Sequence, residues 1–516
     1  MHNRIHFLLL MIGMLFIVAQ LSAQTKKPTD KPRTLIVIFD GLRPDYITPE
    51  LMPNVYKLKQ EGAYGNQNHS VFPTVTRVNA SSYSTGSYPE QHGLMGNSVY
   101  FPGVSKTKVL DTSDAAQLQQ ASLSVSGNLL TAISFGEIMQ AQGHPFMVFS
   151  SGSTGQALLQ NHKVSGGFII NPELILPNDK MPEVVKVLGL PPPDATPNTA
   201  RHAWVTDGLL HYALKPNGPQ VSAIWYSDPD ATAHAEGMGA DLTNTSIRGV
   251  DEQFGRVIAH LKNNKLYEQY NIVISADHGF VTHVGKNSLA DFLIAKGLKA
   301  GKESEDVVVA GGALYVKGHD ETTIKSIVSA LQKEVWIGAL FTRAKQSKSL
   351  HGIADGTLSF ETIHWNHPER RADILVDLNW DDRKNERGFS GTSYSRGVAG
   401  HGTSSPYEIH IPLICAGPSF KRNFVSDLPT SNVDIVPTLL HIMDIPIPTS
   451  MQGRVMDELL RNTETTKEKA KVEKVETHIT APWGMYKLVL EKSIWKDREY
   501  VNFTRTERIV AEQTKK

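Results

Sequence analysis

Cysteine is almost absent from this chain of 516 residues, which contains only Cys415. A single thiol excludes an intrachain disulfide framework and any zinc site built on several thiolates. Cys415 lies in the apolar run IPLICAG, so we expect it to be a small, buried, unreactive side chain.

An excess of charge of either sign is also lacking, because 52 Lys and Arg residues balance 52 Asp and Glu residues. This balance gives no electrostatic reason to expect a nucleic acid polymer or an anionic membrane surface as partner. Beyond Val18 no apolar run approaches the length of a membrane-spanning helix, which needs about 20 residues. We therefore expect a partner of another kind.

The N-terminus has the pattern of a secretory signal peptide. Arg4 precedes an apolar run from Phe7 to Val18, and the following AQLSAQTKK offers small residues for cleavage near Ala23. These features are typical of such a signal, whereas the alternative, a retained membrane anchor, needs a longer run. We predict a signal peptide over residues 1–23, export to the periplasm or outside the cell, and no stable membrane anchor after cleavage.

Several apolar runs without polar alternation are typical of strands buried on both faces of a parallel sheet. These runs are TLIVIF, VSAIWY (Val221–Tyr226), YNIVIS (Tyr270–Ser275), ADILV (Ala372–Val376) and IPLICA (Ile411–Ala416). A helical period links two of them, with Ile247, Val250 and Phe254 on one side of the helix. This alternation predicts an α/β fold with a mainly parallel central sheet and helices on both faces.

Two stretches depart from the alternation, at about residues 100–200 and 285–370. We predict that both are insertions that cap the sheet of a single catalytic domain over residues 24–516. After Arg461 the sequence becomes highly charged (NTETTKEKAKVEKVE). This composition predicts an exposed helix or linker ahead of a final segment with Trp483, Tyr486 and Trp495.

Potential metal ligands follow three of the predicted strands. Asp40 ends the first, Asp228 and Asp230 follow VSAIWYS, and Asp277-His278 ends NIVISADH. Ligands of open α/β sheets bind beyond the carboxyl ends of the strands, so these side chains are predicted to meet at one rim. The alternative for Asp40, which precedes a glycine, is a turn that ends the strand.

Two further histidines extend this set. His234 follows Asp230 by four residues, a spacing that places two ligands on one face of a helix or turn. The alternative is an aspartate that caps a helix with an exposed histidine. His401 stands between glycines in AGHGTSSP, where it has no evident packing role. Asp and His ligands without cysteine suit Zn²⁺, or else Mn²⁺ or Fe²⁺.

The segment FPTVTRVN, Phe72–Asn79, contains two threonines and an arginine. A threonine hydroxyl is a poor nucleophile at neutral pH, but coordination to a divalent ion lowers its pKa. Two ions about 4 Å apart can bind the attacking and leaving oxygens of a phosphoryl transfer. If this segment lies at the same rim, one of its threonines is a candidate nucleophile.

These motifs, in this order, resemble the nucleotide pyrophosphatase/phosphodiesterase (type I phosphodiesterase) family of the alkaline phosphatase superfamily. The resemblance spans about residues 33–455 and is carried by VIFDGLRPDY, FPTVTRVNASSYSTGSYPEQHGLMGN, DPDATAH, SADHG, AGHGTSSP, PLICAGPSFK and NVDIVPTLLHIM. It implies an alkaline phosphatase-like fold. It also implies an exported hydrolase with two divalent ions, most often zinc, that cleaves phosphodiester or nucleotide pyrophosphate bonds in a small-molecule substrate.

The resemblance assigns two sets of metal ligands. One ion would be held by Asp40, Asp277 and His278 together with Thr76, and the other by Asp230, His234 and His401. Asp228 matches no ligand, and its place would be behind the ligands or at the surface.

The resemblance also assigns the catalytic residues. Thr76, the second threonine of a Pro-Thr-x-Thr segment, would attack phosphorus in line and form a phosphothreonine that water then hydrolyses. Asn97 would hold a phosphoryl oxygen, as an oxyanion-hole donor does. Thr74 would be a local structural residue.

One departure from the family affects the choice of substrate. Relatives that cleave nucleotides usually have Phe-Pro-Asn after the nucleophile, where this chain has Arg77, Val78 and Asn79. Loss of an aromatic ring removes stacking worth about 1–3 kcal/mol per base. Arg77 is expected either to bind substrate phosphate through two hydrogen bonds or to form a surface ion pair.

Three other functions on this scaffold are alternatives. A phosphomonoesterase or phosphonate hydrolase resembling the family would carry a basic pair in the cap region, but the comparable stretch, Phe146–Leu159, has no basic residue. A sulfatase would carry a Cys/Ser-x-Pro-x-Arg signature, which is missing around Thr76. A non-catalytic phosphate-binding protein would have lost the nucleophile or a ligand, and none is lost. We therefore expect diesters as substrates.

Overall fold

The structure is a computed structural model that describes residues 31–464, 466 and 468–510. The predicted signal peptide, residues 1–23, lies outside the described residues. From Arg33 onward the described chain forms one compact unit.

The strand Arg33–Phe39 lies at the middle of the largest sheet and is buried along almost its whole length. It pairs in parallel with Val221–Tyr226 on one side and with Tyr270–Ser275 on the other. All three sequences are apolar runs because helices cover both faces of a parallel sheet, which leaves no solvent-facing side to carry polar residues.

Ten strands make up this central sheet. In order they are His410–Ile411, Ala63–His69, Leu413–Ala416, Tyr270–Ser275, Arg33–Phe39, Val221–Tyr226, Phe146–Ser150, Phe168–Asn171 and Leu174–Leu176, with Phe424–Ser431 paired to Ala63–His69. The middle of the sheet is parallel, as predicted. The IPLICA run, expected to be a parallel strand, instead runs antiparallel to Tyr270–Ser275, because burial on both faces selects the same apolar composition in either direction.

Helices cover both faces of the sheet, which confirms the α/β prediction. One face carries Ala115–Ser124, Phe135–Ala141, Thr154–Gln160 and Ile435–Ile442, whose apolar side chains cluster with Ile36 and Ile38. The other carries Pro53–Glu61, Met181–Leu188, Thr199–Gly208 and Asp241–Asn263, which cluster with Leu35, Val37 and Phe39. Alternate residues of one strand thus enter two separate cores.

The stretch 100–200 was predicted to cap the sheet, but part of it is sheet. Its strands Phe146–Ser150, Phe168–Asn171 and Leu174–Leu176 extend the central sheet at one edge. The prediction fails because these strands are short and separated by polar loops, which hides the strand–helix alternation.

The stretch 285–370 contributes to a separate five-stranded sheet. The strands of this sheet are Val307–Ala310, Ala313–Val316, Ile337–Thr342, Leu358–Ser359 and Ile374–Leu378. The same stretch also contains the helices Leu289–Ala295 and Glu321–Leu331. The predicted strand Ala372–Val376 therefore belongs mostly to this smaller sheet rather than to the central one.

The charged stretch after Arg461 was predicted to be a helix or linker, and this is wrong for its second half. Lys471–Ala481 is a strand that forms an antiparallel three-stranded sheet with Gly484–Trp495 and Arg498–Val510. One face of this sheet is solvated and charged, whereas Val475, Tyr486 and Leu488 pack against the five-stranded sheet.

In the part of the chain that the structure describes, no helix has the length and apolar character needed to cross a membrane.

Candidate metal and phosphate site

Three neighbouring strands bring the predicted acidic residues to one rim. Asp40 directly follows Arg33–Phe39, and Asp277 and His278 follow Tyr270–Ser275. Asp230 begins the helix Asp230–Glu236, just beyond Val221–Tyr226. The shared rim follows from the parallel pairing of the three strands, whose carboxyl ends coincide.

Asp40, Asp277 and His278 form the first cluster. Nε2 of His278 lies 3.0 Å from Oδ2 of Asp277 and 3.7 Å from Oδ1 of Asp40. The other oxygen of each carboxylate accepts a hydrogen bond from a neutral donor. Oδ2 of Asp40 accepts from Trp225 Nε1 at 2.9 Å, and Oδ1 of Asp277 accepts from the Gly41 backbone N–H at 3.0 Å. Each carboxylate therefore presents one oxygen to the site in a fixed orientation.

Asp230, His234 and His401 form the second cluster. Oδ1 of Asp230 lies 3.3 Å from Nε2 of His234 and 3.3 Å from Nε2 of His401. The rings of His401 and His278 stack with centroids 3.4 Å apart, so the two clusters adjoin. Ligand atoms of Asp230 also lie close to those of Asp40 and His278. Asp230 is thus common to two groups that could each hold a metal ion.

All three histidines have their Nδ1 atoms engaged by backbone carbonyls. His234 donates to the Ala399 carbonyl at 2.9 Å, His278 to that of Gly279 at 3.0 Å, and His401 to that of Thr74 at 2.8 Å. This hydrogen bond fixes the neutral tautomer in which Nε2 is a free acceptor, the arrangement of metal-ligating histidines.

Three carboxylate oxygens at this rim are buried without a hydrogen-bond partner, namely Oδ1 of Asp40, Oδ1 of Asp230 and Oδ2 of Asp277. An unpaired buried charge is costly. Burial, and then the charges of Asp277 and Asp230, raise the pKa of Asp40 well above its usual value. The residues present therefore fit divalent ions, which would satisfy these oxygens and offset their repulsion.

Thr76 is the first residue of the helix Thr76–Thr85 and is buried beside the first cluster. Its Oγ1 lies 3.3 Å from Nε2 of His278. Thr74 differs, because its hydroxyl donates to the Thr403 carbonyl at 2.6 Å and accepts from the Gly402 N–H at 3.2 Å. Of the two threonines, Thr76 is the one whose hydroxyl lies at the candidate ligands.

Asn97 joins this group through the backbone of Arg77. The Arg77 N–H donates to Oδ1 of Asn97 at 3.1 Å, which fixes the carboxamide and leaves its NH₂ group as a donor. Asn97 precedes the short strand Ser98–Val99, which pairs with Leu110–Asp111.

The Arg77 side chain does not form the surface ion pair that was its alternative. Its Nε is buried and has no hydrogen-bond partner, and no ion pair to its guanidinium is found among the described residues. Burial lowers the pKa of Arg77, and the charges of Asp40, Asp111, Asp230 and Asp277 oppose that shift. A cation without a partner thus lies close to the acidic clusters.

Asp228 is fully buried and is not at the surface. Its carboxylate accepts from the N–H and hydroxyl of Thr232 at 3.0 and 2.7 Å and from Nε2 of His202 at 2.9 Å. Its oxygens are occupied by these donors, so Asp228 stabilises the start of the helix that carries Asp230 and His234.

Residues that support the His401 loop were missed in the sequence. Buried Glu408 accepts from the Thr403 N–H at 2.6 Å, and its Oε2 lies 3.1 Å from the Thr74 hydroxyl oxygen. The Ser404 hydroxyl forms a hydrogen bond of 2.5 Å with the hydroxyl of Thr504, which belongs to the C-terminal sheet. Glu408 stands in the AGHGTSSPYE motif, whereas nothing local in the sequence marks Thr504.

A pocket of about 410 Å³ opens beside the second cluster. Its walls come from the segments around Phe72 and Asn97, from the His401 loop, and from the five-stranded sheet near Trp336 and Leu375. The stretch 285–370 therefore adjoins the site.

The fold just described is shared by enzymes that act on phosphoric esters, and the comparison of sequences identifies the family. The profile described as type I phosphodiesterase / nucleotide pyrophosphatase matches residues 34–381. The chain belongs to this family.

Curated relatives and solved structures agree with this membership. Bis(5'-adenosyl)-triphosphatase enpp4 of Xenopus laevis is 27% identical over 278 residues, which cover 52% of this chain and 53% of that protein. Human ectonucleotide pyrophosphatase/phosphodiesterase family member 5 is 22% identical over 445 residues, covering 83% of this chain and 78% of that protein. Murine ectonucleotide pyrophosphatase/phosphodiesterase 5, solved as an inactive variant with AMP, has the same fold, with a TM-score of 0.58, 19% identity and coverage of 84% of this chain and 100% of that one.

The chain spans 53% of the length of the Xenopus relative and 27% of a venom phosphodiesterase of Naja atra. Activity and substrates are therefore inferred from the site itself.

Proposed function

We propose that this protein is an exported phosphodiesterase or nucleotide pyrophosphatase that uses two divalent ions, with Zn²⁺ the best fit, and forms a phosphothreonine at Thr76. The observation that carries the proposal is the set of three buried carboxylate oxygens without a hydrogen-bond partner, at the rim where the Thr76 hydroxyl lies 3.3 Å from Nε2 of His278. A purely structural cluster would pair these oxygens with donors.

Asp40, Asp277 and His278 would hold one ion near Thr76, and Asp230, His234 and His401 would hold the other. When bound, such ions lower the pKa of a coordinated hydroxyl or water and stabilise negative charge on phosphoryl oxygens. The fixed Nδ1 contacts of the three histidines support this assignment, because they keep Nε2 free to bind.

The chain's own residues account for the covalent steps. The Thr76 hydroxyl gives its proton to solvent water as its oxygen attacks phosphorus in line and forms the new bond. The bond to the leaving oxygen breaks, and that oxygen takes up a proton from water. Water then attacks the phosphothreonine and releases the phosphate product and the free Thr76 hydroxyl. The NH₂ group of Asn97 donates to a phosphoryl oxygen, where charge develops during both steps.

The free guanidinium of Arg77 favours a second candidate, a phosphomonoesterase on the same scaffold. A monoester dianion carries one more charge than a diester, and a partly buried arginine with no ion pair among the described residues can bind it through two hydrogen bonds. Phe146–Leu159 supplies no further basic residue, which favours diesters.

The test is a comparison of kcat/KM for p-nitrophenyl phosphate, bis-p-nitrophenyl phosphate and the p-nitrophenyl ester of thymidine 5'-monophosphate, with zinc supplied. We expect a diester to be preferred. Preference for the thymidine ester over bis-p-nitrophenyl phosphate would identify a nucleotide site, in line with the AMP complex of the murine relative. Preference for p-nitrophenyl phosphate would overturn the diester assignment in favour of the monoesterase.

A further inference from the structure

We propose that the 410 Å³ pocket beside His401 binds the leaving alcohol of the substrate and selects a largely apolar group of aryl size. This inference rests on the proposed function, because only a phosphoester hydrolase has a leaving alcohol. It adds the class of group that this hydrolase releases.

The position of the pocket relative to Thr76 is the first argument. The pocket meets the site at Asn97, at Val75 beside Thr76, and at His401 and Gly402 of the second cluster's loop; of the six candidate ligands, His401 alone is among the described residues that line it. Thr76, His278 and the first cluster are not among its lining residues. In-line displacement puts the leaving oxygen opposite the attacking one, so a group released on the His401 side of the site enters this pocket.

The chemistry of the walls is the second argument. Phe72, Met95, Trp336 and Leu375 line the pocket and are themselves buried, so their positions are fixed by packing. Walls that are mainly apolar with a few polar groups are typical of small-molecule sites, whose volumes start at about 300 Å³.

The charge of the walls is the third argument. Among the described residues that line the pocket there is no carboxylate and no lysine, and the one arginine, Arg396, is exposed at the rim. A leaving group with several phosphates would need more cationic partners than this. Asn287 and Ser395 can hydrogen-bond one or two polar atoms of an otherwise apolar alcohol.

The experiment compares methyl phenyl phosphate with methyl 2-naphthyl phosphate, two diesters whose leaving groups differ in size but little in acidity. We expect wild-type kcat/KM to favour the naphthyl ester about tenfold or more, since one added methylene in an apolar pocket already gives about tenfold. Ser395→Trp fills the pocket from the rim and Ala313→Leu from the sheet. Both should reduce the preference to about twofold or less, with the phenyl ester affected less.

Ser326→Trp, on the exposed side of the helix Glu321–Leu331, is the matched control and should keep the wild-type preference. A naphthyl preference that both pocket variants retain would overturn the proposal. A wild-type preference for leaving groups that carry a phosphate would also overturn the proposal, provided that Arg396→Ala abolishes this preference.

A second measurement separates failure of the pocket from failure of the proposed function. Calorimetric titration of zinc-loaded protein with 2-naphthol reports binding without turnover. We expect binding that Ser395→Trp weakens tenfold or more and that Ser326→Trp leaves unchanged. If no diester is cleaved, the proposed function fails and the leaving-group role with it. If diesters are cleaved but naphthol does not bind, only the pocket proposal is overturned.

Discussion

The backbone carbonyl of Thr74 accepts a hydrogen bond from Nδ1 of His401 at 2.8 Å. The two threonines of one short segment thus face the two clusters differently. Thr76 presents its hydroxyl to His278, whereas Thr74 fixes the ring of His401 and, through its hydroxyl, the loop at Thr403. The proposed nucleophile and a threonine that supports the His401 loop stand two residues apart.

The Thr74 hydroxyl is predicted to position His401. Thr74→Val keeps the carbonyl that binds Nδ1 of His401 but loses the bonds of the hydroxyl to the Thr403 carbonyl and the Gly402 N–H. It should therefore weaken the second metal site about tenfold, the low end of the effect of losing a group bonded directly to a ligand, and Thr74→Ser should restore it. Metal titration measures the effect. Thr438→Val is a matched control, because Thr438 is also buried and bonds a carbonyl at 2.8 Å and an N–H at 3.0 Å, away from the site. Equal metal affinity in Thr74→Val and the control would contradict this role.

Asp230 belongs to both candidate metal groups, whereas His234 belongs to one. Asp230→Asn should therefore lower the affinity for both ions, and His234→Ala for only one. Metal titration should show weaker binding of both ions in Asp230→Asn, with the smaller loss at the first cluster because Asp40, Asp277 and His278 remain, and weaker binding of only the second ion in His234→Ala. Asp241→Asn, at an exposed helix start, is the control. Unchanged affinity of the first ion in Asp230→Asn would argue against a shared aspartate.

Thr76→Ala should abolish phosphodiester hydrolysis, with a fall in kcat of about 10³-fold or more, because it removes the proposed nucleophile. Thr76→Ser should retain part of the activity. Metal content should stay at the wild-type level, since three other ligands remain in the first cluster. Full activity of Thr76→Ala would remove Thr76 from the role of nucleophile.

Arg77→Ala should lower kcat/KM by about 10–100-fold, in line with about 1.5–3 kcal/mol for hydrogen bonds to a charged group. Arg77→Lys should recover part of the loss, because it keeps the charge but not the two parallel hydrogen bonds. The loss should be larger for a monoester than for a diester. Arg387→Ala, at an exposed position, is the control, and an Arg77→Ala enzyme with unchanged kinetics would place the guanidinium outside the substrate site.

Acid should destabilise the fold through His92. Its Nδ1 accepts from the Leu94 N–H at 3.1 Å and its Nε2 lies 3.0 Å from the Ser82 hydroxyl, so protonation breaks a hydrogen bond. Burial, and then the charges of His367 and Arg370, lower the pKa of His92 to about 3, below the unfolded value of about 6.5. The unfolded state therefore binds more protons between these values, and stability falls as pH falls below about 6.5.

The measurement is the free energy of unfolding in urea at pH 7 and pH 5, with metal removed. His92 should contribute up to about 1.4 kcal/mol per pH unit. His92→Asn keeps an acceptor for the Leu94 N–H but cannot titrate, so its stability should depend less on pH. The exposed His211→Asn should behave as the wild type, and an unchanged pH slope in His92→Asn would rule out this contribution.

The rim of the sheet could be predicted because its signals are local. Apolar runs end at Asp40 and Asp277, and parallel strands bring their ends together whatever the loops do. The His401 side was predictable only in part. The glycines around His401 mark the loop, but its support by Thr504 joins residues 100 positions apart, which no short pattern encodes. Lys471–Ala481 was misjudged because its solvated face carries the charges that also mark helices and linkers.

The contact between Ser404 and Thr504 has a consequence for the order of folding. A loop of this length is entropically costly to close, so such contacts generally form after local ones. The first cluster needs only the pairing of central strands, whereas the His401 loop gains this support when the C-terminal sheet docks. We therefore predict that full metal binding comes late in folding, and that a chain whose C-terminal strands are not yet in place lacks hydrolase activity.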